Sequence, residues 1–286
     1  MLSLQQGRSL KEFSTFGIGG PIHLLTEARS LSEMQEIFQW IQREKIPFLI
    51  LGKGSNCLFD DRGFDGLAII NKIDFCHWAG NEVSVGSGYS FSLLGVQSAR
   101  KGFAGLEFAS GIPATVGGAV FMNAGANGSE TWQVLRSIQF LSLEGEFYDY
   151  PKEELEFGYR YSSFQKKMGV IVSAAFTLSP SKEARARQLA IVETRLSTQP
   201  YREKSIGCIF RNPSPEKPAG LLIDQCGLKG AQIGGAKISP VHANFMINSG
   251  DASAKDVLDL IQMVQERVRE QTGWHLEPEI RMIGFS

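Results

Sequence analysis

A first glycine-rich stretch, GKGSN at residues 52–56, offers amides and small polar side chains to an anion. It follows the apolar run 47–51, which predicts a short strand. Its small residues let consecutive amides form an anion-binding concavity, to which Ser55 and Asn56 add donors. Lys53 either adds positive charge there or is an ordinary solvated lysine. Because no helix pattern follows, the stretch lacks the Rossmann order of strand, glycine loop and helix.

A second glycine-rich stretch, ASGIPATVGGA at residues 109–119, has similar chemistry. Ile112 and Pro113 predict an extended entry, and Thr115 is placed to cap a short helix that starts at the next residue. The N-terminus of that helix and its flanking amides would favour a pyrophosphate. Two such stretches suit a dinucleotide. The alternative is a turn-rich protein whose glycines serve only tight backbone conformations.

Five polar or reactive side chains lie in distinctive contexts elsewhere in the chain. Arg160, in GYRYS, could hold a carboxylate in bidentate geometry or be a surface arginine. Cys208, in GCIF, has the ordinary alternative of a buried small hydrophobe. Glu279, in EPEI, could be a solvated carboxylate on a strand. His242 and Asn244 stand at the head of a predicted strand and could line a pocket or cap that strand.

Helices and strands of several lengths must position these groups. The pattern predicts helices over 31–45, 91–101, 181–196, 219–226 and 252–271, and strands over 47–51, 67–71, 83–86, 138–143, 146–150, 170–178, 244–248 and 276–283. Ser30 and Glu33 form a capping-box pattern at the start of the first helix. Pro200 cannot continue a helix, which favours a domain boundary near residues 182–200.

The composition excludes several classes of protein. The 286 residues carry a net charge of −1 and are 43% hydrophobic, which is typical of a soluble protein of about two domains. A near-zero charge argues against nucleic-acid binding. Four cysteines without a CxxC pair and four scattered histidines predict neither a disulfide scaffold nor a metal site. Since neither a secretory signal nor a membrane span is recognisable, we expect a cytoplasmic protein without membrane contact.

Eight motifs taken in chain order resemble those of the UDP-N-acetylenolpyruvoylglucosamine reductase (MurB) family. The resemblance runs from about residue 12 to residue 284 and is far more specific than either glycine-rich stretch alone. The motifs are FGIGGP, LGKGSN, GIPATVGGAVFMNAGA, GYRYS, GCIFRNP, AGLLIDQCGLKG, HANFMIN and LEPEIRMIG.

The resemblance implies an α+β fold and a specific reaction. A two-lobed FAD-binding domain of the vanillyl-alcohol-oxidase (PCMH) type would span 1–182, with lobes at about 1–72 and 73–182. An α+β substrate-binding domain would span 183–286. With noncovalent FAD and NADPH, the family reduces UDP-N-acetylglucosamine enolpyruvate to UDP-N-acetylmuramate in peptidoglycan synthesis. Some family members have an extra segment in the substrate-binding domain that supplies a tyrosine lid. The sequence after Pro213 leaves little room for that segment, so this chain resembles the lidless type. No obligate protein partner is implied.

The family's motifs also imply roles for individual residues. The implied catalytic residues are Arg160, Cys208 and Glu279. The implied FAD-binding residues are Gly52, Lys53, Gly54, Ser55, Asn56, Ile112, Pro113, Thr115, Gly117, Gly118 and Gly125. Tyr159 and Asn212 match substrate-contacting motifs, whereas His242 and Asn244 are substrate-binding candidates by position only.

The implied catalytic roles are chemically consistent. Hydride delivered to the terminal enolpyruvyl carbon leaves charge beside a carboxylate, which Arg160 and a protonated Glu279 would stabilise. An acid must then protonate the adjacent carbon. Many family members have serine where this chain has Cys208, but a thiol with a reference pKa near 8.5 is mostly protonated at neutral pH.

Two other functions are compatible with the same glycine-rich stretches. The first is a flavin-dependent oxidase that passes electrons to oxygen; some such enzymes attach flavin through a histidine in the first glycine loop. Here His23 lies beyond Pro21, outside the GIGG sequence. The second is a flavin- or nucleotide-binding protein without catalysis, which the presence of Arg160 and Glu279 argues against.

Overall fold

The computed structural model describes residues 2–285, which form an α+β protein. The helices are α1 (Leu31–Glu44), α2 (Phe91–Arg100), α3 (Val116–Phe121), α4 (Ala184–Thr198), α5 (Ala219–Gln225) and α6 (Ala254–Thr272). The strands are β1 (Arg8–Ser9), β2 (Pro21–Ala28), β3 (Phe48–Leu51), β4 (Cys57–Phe59), β5 (Phe64–Asn71), β6 (Cys76–Ala79), β7 (Glu82–Gly86), β8 (Phe103–Ala104), β9 (Gly125–Ala126), β10 (Ser129–Glu130), β11 (Leu135–Ser142), β12 (Phe147–Pro151), β13 (Phe157–Gly158), β14 (Tyr161–Ser162), β15 (Gly169–Thr177), β16 (Ser179–Pro180), β17 (Ser205–Cys208), β18 (Gln232–Ile233), β19 (Ala236–Ile238), β20 (Phe245–Asn248) and β21 (Arg281–Ile283).

The chain divides into two compact units. The first comprises Met1–Gln5, Leu24–Lys53 and Gly66–Thr194, and the second comprises Gln6–His23, Gly54–Asp65 and Arg195–Ser286. These limits differ from the expected boundary between residues 182 and 183. Most of α4 stays with the first unit, where Arg187 donates to Glu107 at 2.8 Å. The second unit, in turn, includes two early segments that were expected in the first domain.

The first unit contains two separate apolar clusters. One lies on a five-stranded sheet of order β12-β11-β15-β7-β6, where α2 and α3 contribute Phe91, Leu94 and Val116. The other is built on α1, which buries Met34 and Phe38 together with residues of β5. Ser30 accepts a hydrogen bond from the Glu33 amide at the start of α1, which is half of the predicted capping box; the Glu33 carboxylate accepts instead from the Arg29 amide at 2.6 Å.

The second unit has its core along α6. Val257, Leu260 and Val264 of this helix are fully buried, and each such side chain contributes about 1.5–3 kcal/mol relative to exposure. Phe16 and Leu58 belong to the same core. This packing is the physical reason why the two early segments belong to the second unit. The sheet order here is β17-β20-β19-β18, and β21 separately pairs with β4 in parallel.

The last predicted strand is shorter than expected. Regular pairing covers only Arg281–Ile283, and the segment before it forms an isolated bridge between Pro278 and Phe210. Because proline has no backbone N–H, it cannot continue a ladder on both sides. Glu279 therefore lies outside a regular strand, and the prediction of a continuous strand over 276–283 was wrong.

Among residues 2–285, no helix is long and apolar enough to cross a membrane. The same residues include no cluster of three or more histidine, cysteine or acidic side chains arranged to hold a metal ion.

Candidate active site

The two glycine-rich stretches meet in the first unit. A Cβ atom on Gly52 would lie 2.5 Å from the hydroxyl oxygen of Thr115, so any larger residue would displace that hydroxyl. Thr115 is itself buried and accepts a hydrogen bond from the Gly118 amide at 3.2 Å. The sequence predicted both stretches, and their close approach follows from the absence of a side chain at Gly52.

The GKGSN loop joins β3 to β4 and presents unused backbone donors. Within residues 2–285, the amides of Lys53, Gly54 and Ser55 donate no hydrogen bond to another protein group. Gly54 has a φ of +60°, and a Cβ atom there would overlap the carbonyl oxygen of Phe13 in the second unit. Lys53 is exposed. Free amides in a turn of this kind suit a phosphate group.

The amides at the start of α3 are not free, contrary to the prediction. The amide of Val116 donates to Tyr89 at 2.9 Å, and the amide of Gly117 donates to Ser87 at 2.8 Å. With the Gly118 amide bonded to Thr115, the first amides of this six-residue helix already have protein acceptors. These amides are therefore not free donors, so the predicted pyrophosphate contact would have to use other groups of this stretch. A Cβ atom on Gly117 would lie 2.9 Å from that of Ser87, so this glycine serves close packing.

An unpartnered hydroxyl marks the entry to α3 instead. Ser110 is fully buried, and its Oγ has no hydrogen-bond partner among the described residues. Ile112 is half-buried and Pro113 exposed just beyond it. Buried hydroxyls are normally bonded, so Ser110 indicates a ligand or water that is not part of the chain. A polar cofactor such as FAD could supply the partner that this hydroxyl lacks.

Arg160 is held by backbone and ring contacts in the first unit. It has a φ of +55°, which is uncommon for a residue with a side chain. Its guanidinium donates to the carbonyl oxygen of Gly125 at 3.2 Å and lies 4.8 Å from the ring centroid of exposed Tyr159. A Cβ on Gly125 would lie 3.4 Å from that guanidinium. Gln165 donates to the Arg160 carbonyl oxygen at 3.1 Å.

Asn123 supports this arrangement and was not predicted as a site residue. It is fully buried, and its Nδ2 donates to the carbonyl oxygen of Gly158 at 2.9 Å and to Glu130 at 3.1 Å. Its Oδ1 accepts from the Trp132 amide at 3.2 Å. Asn123 thus fixes the turn that carries Arg160. A sequence signal existed, because asparagine tolerates the positive φ of +43° found here.

Cys208 and Glu279 come together in the second unit. Glu279 donates its backbone N–H to the carbonyl oxygen of Ile209 at 2.7 Å, so it lies beside the residue that follows Cys208. Both Cys208 and Glu279 are half-buried. Asn56 adjoins them, since its side chain donates to the Glu279 carbonyl oxygen at 3.4 Å. Gly207, with a φ of +82°, faces the carbonyl oxygen of Ser55.

The other three cysteines are less acidic than a free thiol. Burial raises the pKa of the Cys57 thiol to about 11. Burial also raises the thiol pKa of Cys76 and of Cys226. Since the thiolate is the reactive form, these three thiols are poor nucleophiles.

The remaining candidates surround the start of α5. Asn212 accepts a hydrogen bond from the Ala219 amide at 3.0 Å and so caps that helix. His242 is half-buried, and its Nδ1 accepts from the Asn244 amide at 3.2 Å, which leaves Nε2 as the protonated nitrogen. Burial, and secondarily Lys229, lowers the pKa of His242.

Asn244 does not match its predicted role. It is 3% exposed, and both ends of its side chain bond to the backbone of Phe210. Both polar atoms of this side chain already bond to the protein and the residue is nearly inaccessible, which argues against a direct contact between Asn244 and substrate.

Comparisons with known proteins agree with this architecture. A family model described as UDP-N-acetylenolpyruvoylglucosamine reductase, C-terminal domain, matches residues 199–283. A model described as FAD binding domain matches residues 22–150. The UDP-N-acetylenolpyruvoylglucosamine reductase of Protochlamydia amoebophila is 54% identical over 279 residues, 96% of this chain and 92% of that protein.

Two further relatives extend the comparison. The reductase of the same name from Chlamydia muridarum is 49% identical over 284 residues, 99% of this chain and 95% of that protein. The crystal structure of the UDP-N-acetylenolpyruvylglucosamine reductase from Thermus caldophilus superimposes with a TM-score of 0.84 at 36% identity, covering 99% of both chains.

The fold and the matched domains define an α+β oxidoreductase with an FAD-binding domain ahead of a reductase domain. The curated relatives that are 46–54% identical over nearly the whole chain carry a single name within this class, UDP-N-acetylenolpyruvoylglucosamine reductase. The chain belongs to the UDP-N-acetylenolpyruvoylglucosamine reductase family.

Proposed function

We propose that this protein uses NADPH and noncovalent FAD to reduce UDP-N-acetylglucosamine enolpyruvate to UDP-N-acetylmuramate, a step of peptidoglycan synthesis. The names of its relatives support the substrate. The single observation that supports the chemistry best is the backbone hydrogen bond between Ile209 and Glu279, which brings the Cys208 thiol and a carboxyl group onto neighbouring segments. The nucleotide substrates also support a cytoplasmic location.

FAD would be held chiefly by the loop between β3 and β4. The free amides of Lys53, Gly54 and Ser55 would bind phosphate oxygens, and the Ser110 hydroxyl would gain the partner that it lacks. The remaining candidates, offered here as contacts of the same cofactor, are Gly52, Asn56, Ile112, Pro113, Thr115, Gly117, Gly118 and Gly125. The chemistry that FAD supplies when bound is two-electron transfer between NADPH and the enolpyruvyl ether.

Arg160 and Glu279 would stabilise the charge that develops during reduction. Hydride addition at the terminal enolpyruvyl carbon leaves negative charge on the adjacent carbon and its carboxylate oxygens. Donors directed at those oxygens lower the barrier, because their dipoles are already oriented. The guanidinium of Arg160 can donate two parallel hydrogen bonds to a carboxylate. A protonated Glu279 would donate one more.

Cys208 would complete the reaction by protonating the adjacent carbon. A thiol with an ordinary pKa is mostly protonated at neutral pH, so it can serve as a general acid. The thiolate left behind must regain a proton before the next turnover. Tyr159, Asn212 and His242 are proposed substrate contacts. Of these, His242 offers an Nε2–H donor, and Tyr159 offers an exposed ring.

The decisive experiment measures NADPH consumption by the purified protein with and without UDP-N-acetylglucosamine enolpyruvate. We expect a yellow protein that releases FAD on denaturation and consumes NADPH only when the enolpyruvyl compound is present. A colourless protein that FAD cannot reconstitute would overturn the proposal. Rapid NADPH oxidation in air without the enolpyruvyl compound, abolished under anaerobic conditions, would instead identify an oxidase.

A further inference from the structure

All four polar groups of Asn244 bond within the second unit, close to the proposed catalytic pair. The Asn244 carbonyl oxygen accepts from the Ile209 amide at 2.9 Å, and its Oδ1 accepts from the Phe210 amide at 3.0 Å. Its Nδ2 donates to the Phe210 carbonyl oxygen at 2.8 Å. Its own amide donates to His242 Nδ1 at 3.2 Å. Because each of these groups bonds to neighbouring protein backbone or to His242, Asn244 acts as a structural clamp on the Phe210 backbone.

The clamp acts where regular strand pairing stops. Cys208 pairs with Phe245, but a register shift between Ser205 and Cys208 inserts an extra residue into β17. Gly207, at a φ of +82°, accommodates this bulge. Beyond Cys208 the strand ends, and the side chain of Asn244 supplies both hydrogen bonds that a neighbouring strand would give to Phe210.

The same short segment carries Glu279. The Ile209 amide donates to the Asn244 carbonyl oxygen, and the Ile209 carbonyl oxygen accepts from the Glu279 amide. Ile209 therefore lies between Asn244 and Glu279. Ile209 and Phe210 are at most 1% exposed, which means that water cannot replace a lost hydrogen bond. A shift of this segment would therefore move Cys208 relative to Glu279.

We infer that Asn244 is a positioning residue, which fixes the spacing between Cys208 and Glu279 by clamping the backbone of Phe210. This inference rests on the proposed function, because the spacing matters only if Cys208 and Glu279 act on one substrate. Asn244 does not touch the substrate. Its effect on turnover is indirect, through the segment 208–210.

The test uses Asn244→Asp, which has the same shape and keeps the acceptor for the Phe210 amide but loses the donor to its carbonyl oxygen. Asn248→Asp is the matched control, because Asn248 ends strand β20 and Asn244 immediately precedes it. The Asn248 side chain likewise donates to a backbone carbonyl, that of Phe16 at 3.1 Å, and accepts from the Gly250 and Ala252 amides. None of its partners adjoins the catalytic pair.

Both variants are prepared as FAD-loaded full-length proteins. We expect Asn244→Asp to slow the half-reaction with the enolpyruvyl substrate on the order of 100-fold, because catalytic groups displaced by about 1 Å lose that much rate. The half-reaction with NADPH and the KM for the enolpyruvyl substrate should change little. Asn248→Asp should leave both half-reactions near wild type. Equal kinetic behaviour of the two variants would overturn the inference.

A second readout does not depend on turnover. The rate at which iodoacetamide alkylates Cys208, mapped by mass spectrometry, should rise severalfold in Asn244→Asp and stay unchanged in Asn248→Asp. An unchanged rate in both would overturn the inference. The raised pKa values of the other three thiols keep their background alkylation slow. If Asn244→Asp does not fold, Asn244→Ser undergoes the same measurements.

Cys208→Ala and Glu279→Gln separate this inference from the proposed function. If both turn over normally, the proposed chemistry fails and the inference fails with it. If both are impaired while Asn244→Asp matches its control, only the inference fails.

Discussion

The backbone N–H of Glu279 donates to the carbonyl oxygen of Ile209 at 2.7 Å. This bond is one of a pair, since the Arg211 amide donates to Glu277 at 2.9 Å on the same two segments. Two chain segments that are remote in sequence are thereby joined as in a short antiparallel ladder. Backbone pairing thus brings the segments of Cys208 and Glu279 together, and the side chain of Asn244 holds the Phe210 backbone within that pairing.

Replacement of Cys208 tests the proposed proton donor. Cys208→Ala should leave the half-reaction with NADPH near wild type and slow the half-reaction with the enolpyruvyl substrate by about 100- to 10,000-fold, the usual contribution of a general acid. Cys208→Ser should retain substantial activity. Stopped-flow absorbance under anaerobic conditions resolves both half-reactions. Unchanged turnover in Cys208→Ala would exclude this thiol as the donor.

Replacement of Glu279 tests the proposed charge stabilisation. Glu279→Gln should depress the half-reaction with the enolpyruvyl substrate by about 100- to 1,000-fold, the range seen when one oriented donor is lost. Glu277→Gln is the matched control, because Glu277 is exposed and lies two residues away on the same segment. Equal slowing of both half-reactions in Glu279→Gln, with reduced thermal stability, would indicate a folding defect.

Gly54 should be essential for the loop that we propose to bind FAD. Gly54→Ala would place a methyl group against the Phe13 carbonyl oxygen, so we expect loss of bound FAD or of the folded protein. Gly80→Ala is the control, since Gly80 has nearly the same φ, +63° against +60°, but nothing within 4 Å of the added atom. The control should lose only about 1–2 kcal/mol of stability. FAD content and unfolding in urea provide the measurements.

The burial of His242 should make stability depend on pH. Since its pKa is lowered from 6.5 in the folded state, the unfolded chain binds the proton more readily. Stability contributed by the neutral ring is thus fully present above about pH 6.5 and declines as the pH falls below it. We expect wild type to lose more stability than His242→Gln between about pH 7 and pH 5. Identical slopes in urea unfolding would contradict this.

The local elements around the site were largely predictable from the sequence. Apolar spacing and caps located α1, α2, α5 and α6 to within a few residues, because those signals lie in adjacent residues. The sequence indicated two separate glycine loops, but it did not indicate that Gly52 of one loop contacts Thr115 of the other. Long-range proximity depends on how the sheets pack, and periodicity does not encode it.

The points at which the structure differs from the expectations have the same physical origin. Asn244 resembled a pocket residue, since an isolated asparagine gives no sign of which backbone groups it will satisfy. The amides of α3 looked free, because the carbonyl oxygens of Ser87 and Tyr89 that accept from them come from the segment between β7 and α2. The extended strand around Glu279 was predicted without weighing Pro278, although proline interrupts a ladder.

The parallel pairing of β4 with β21 constrains the order of events during biosynthesis. Asn56 and Glu279, at the edge of this pairing, are 223 positions apart in the chain. The strand partner of Cys57–Phe59 is therefore synthesised long after these residues themselves. Until Arg281–Ile283 have been made, the earlier strand has no partner, so this part of the second unit can form only after the intervening chain exists.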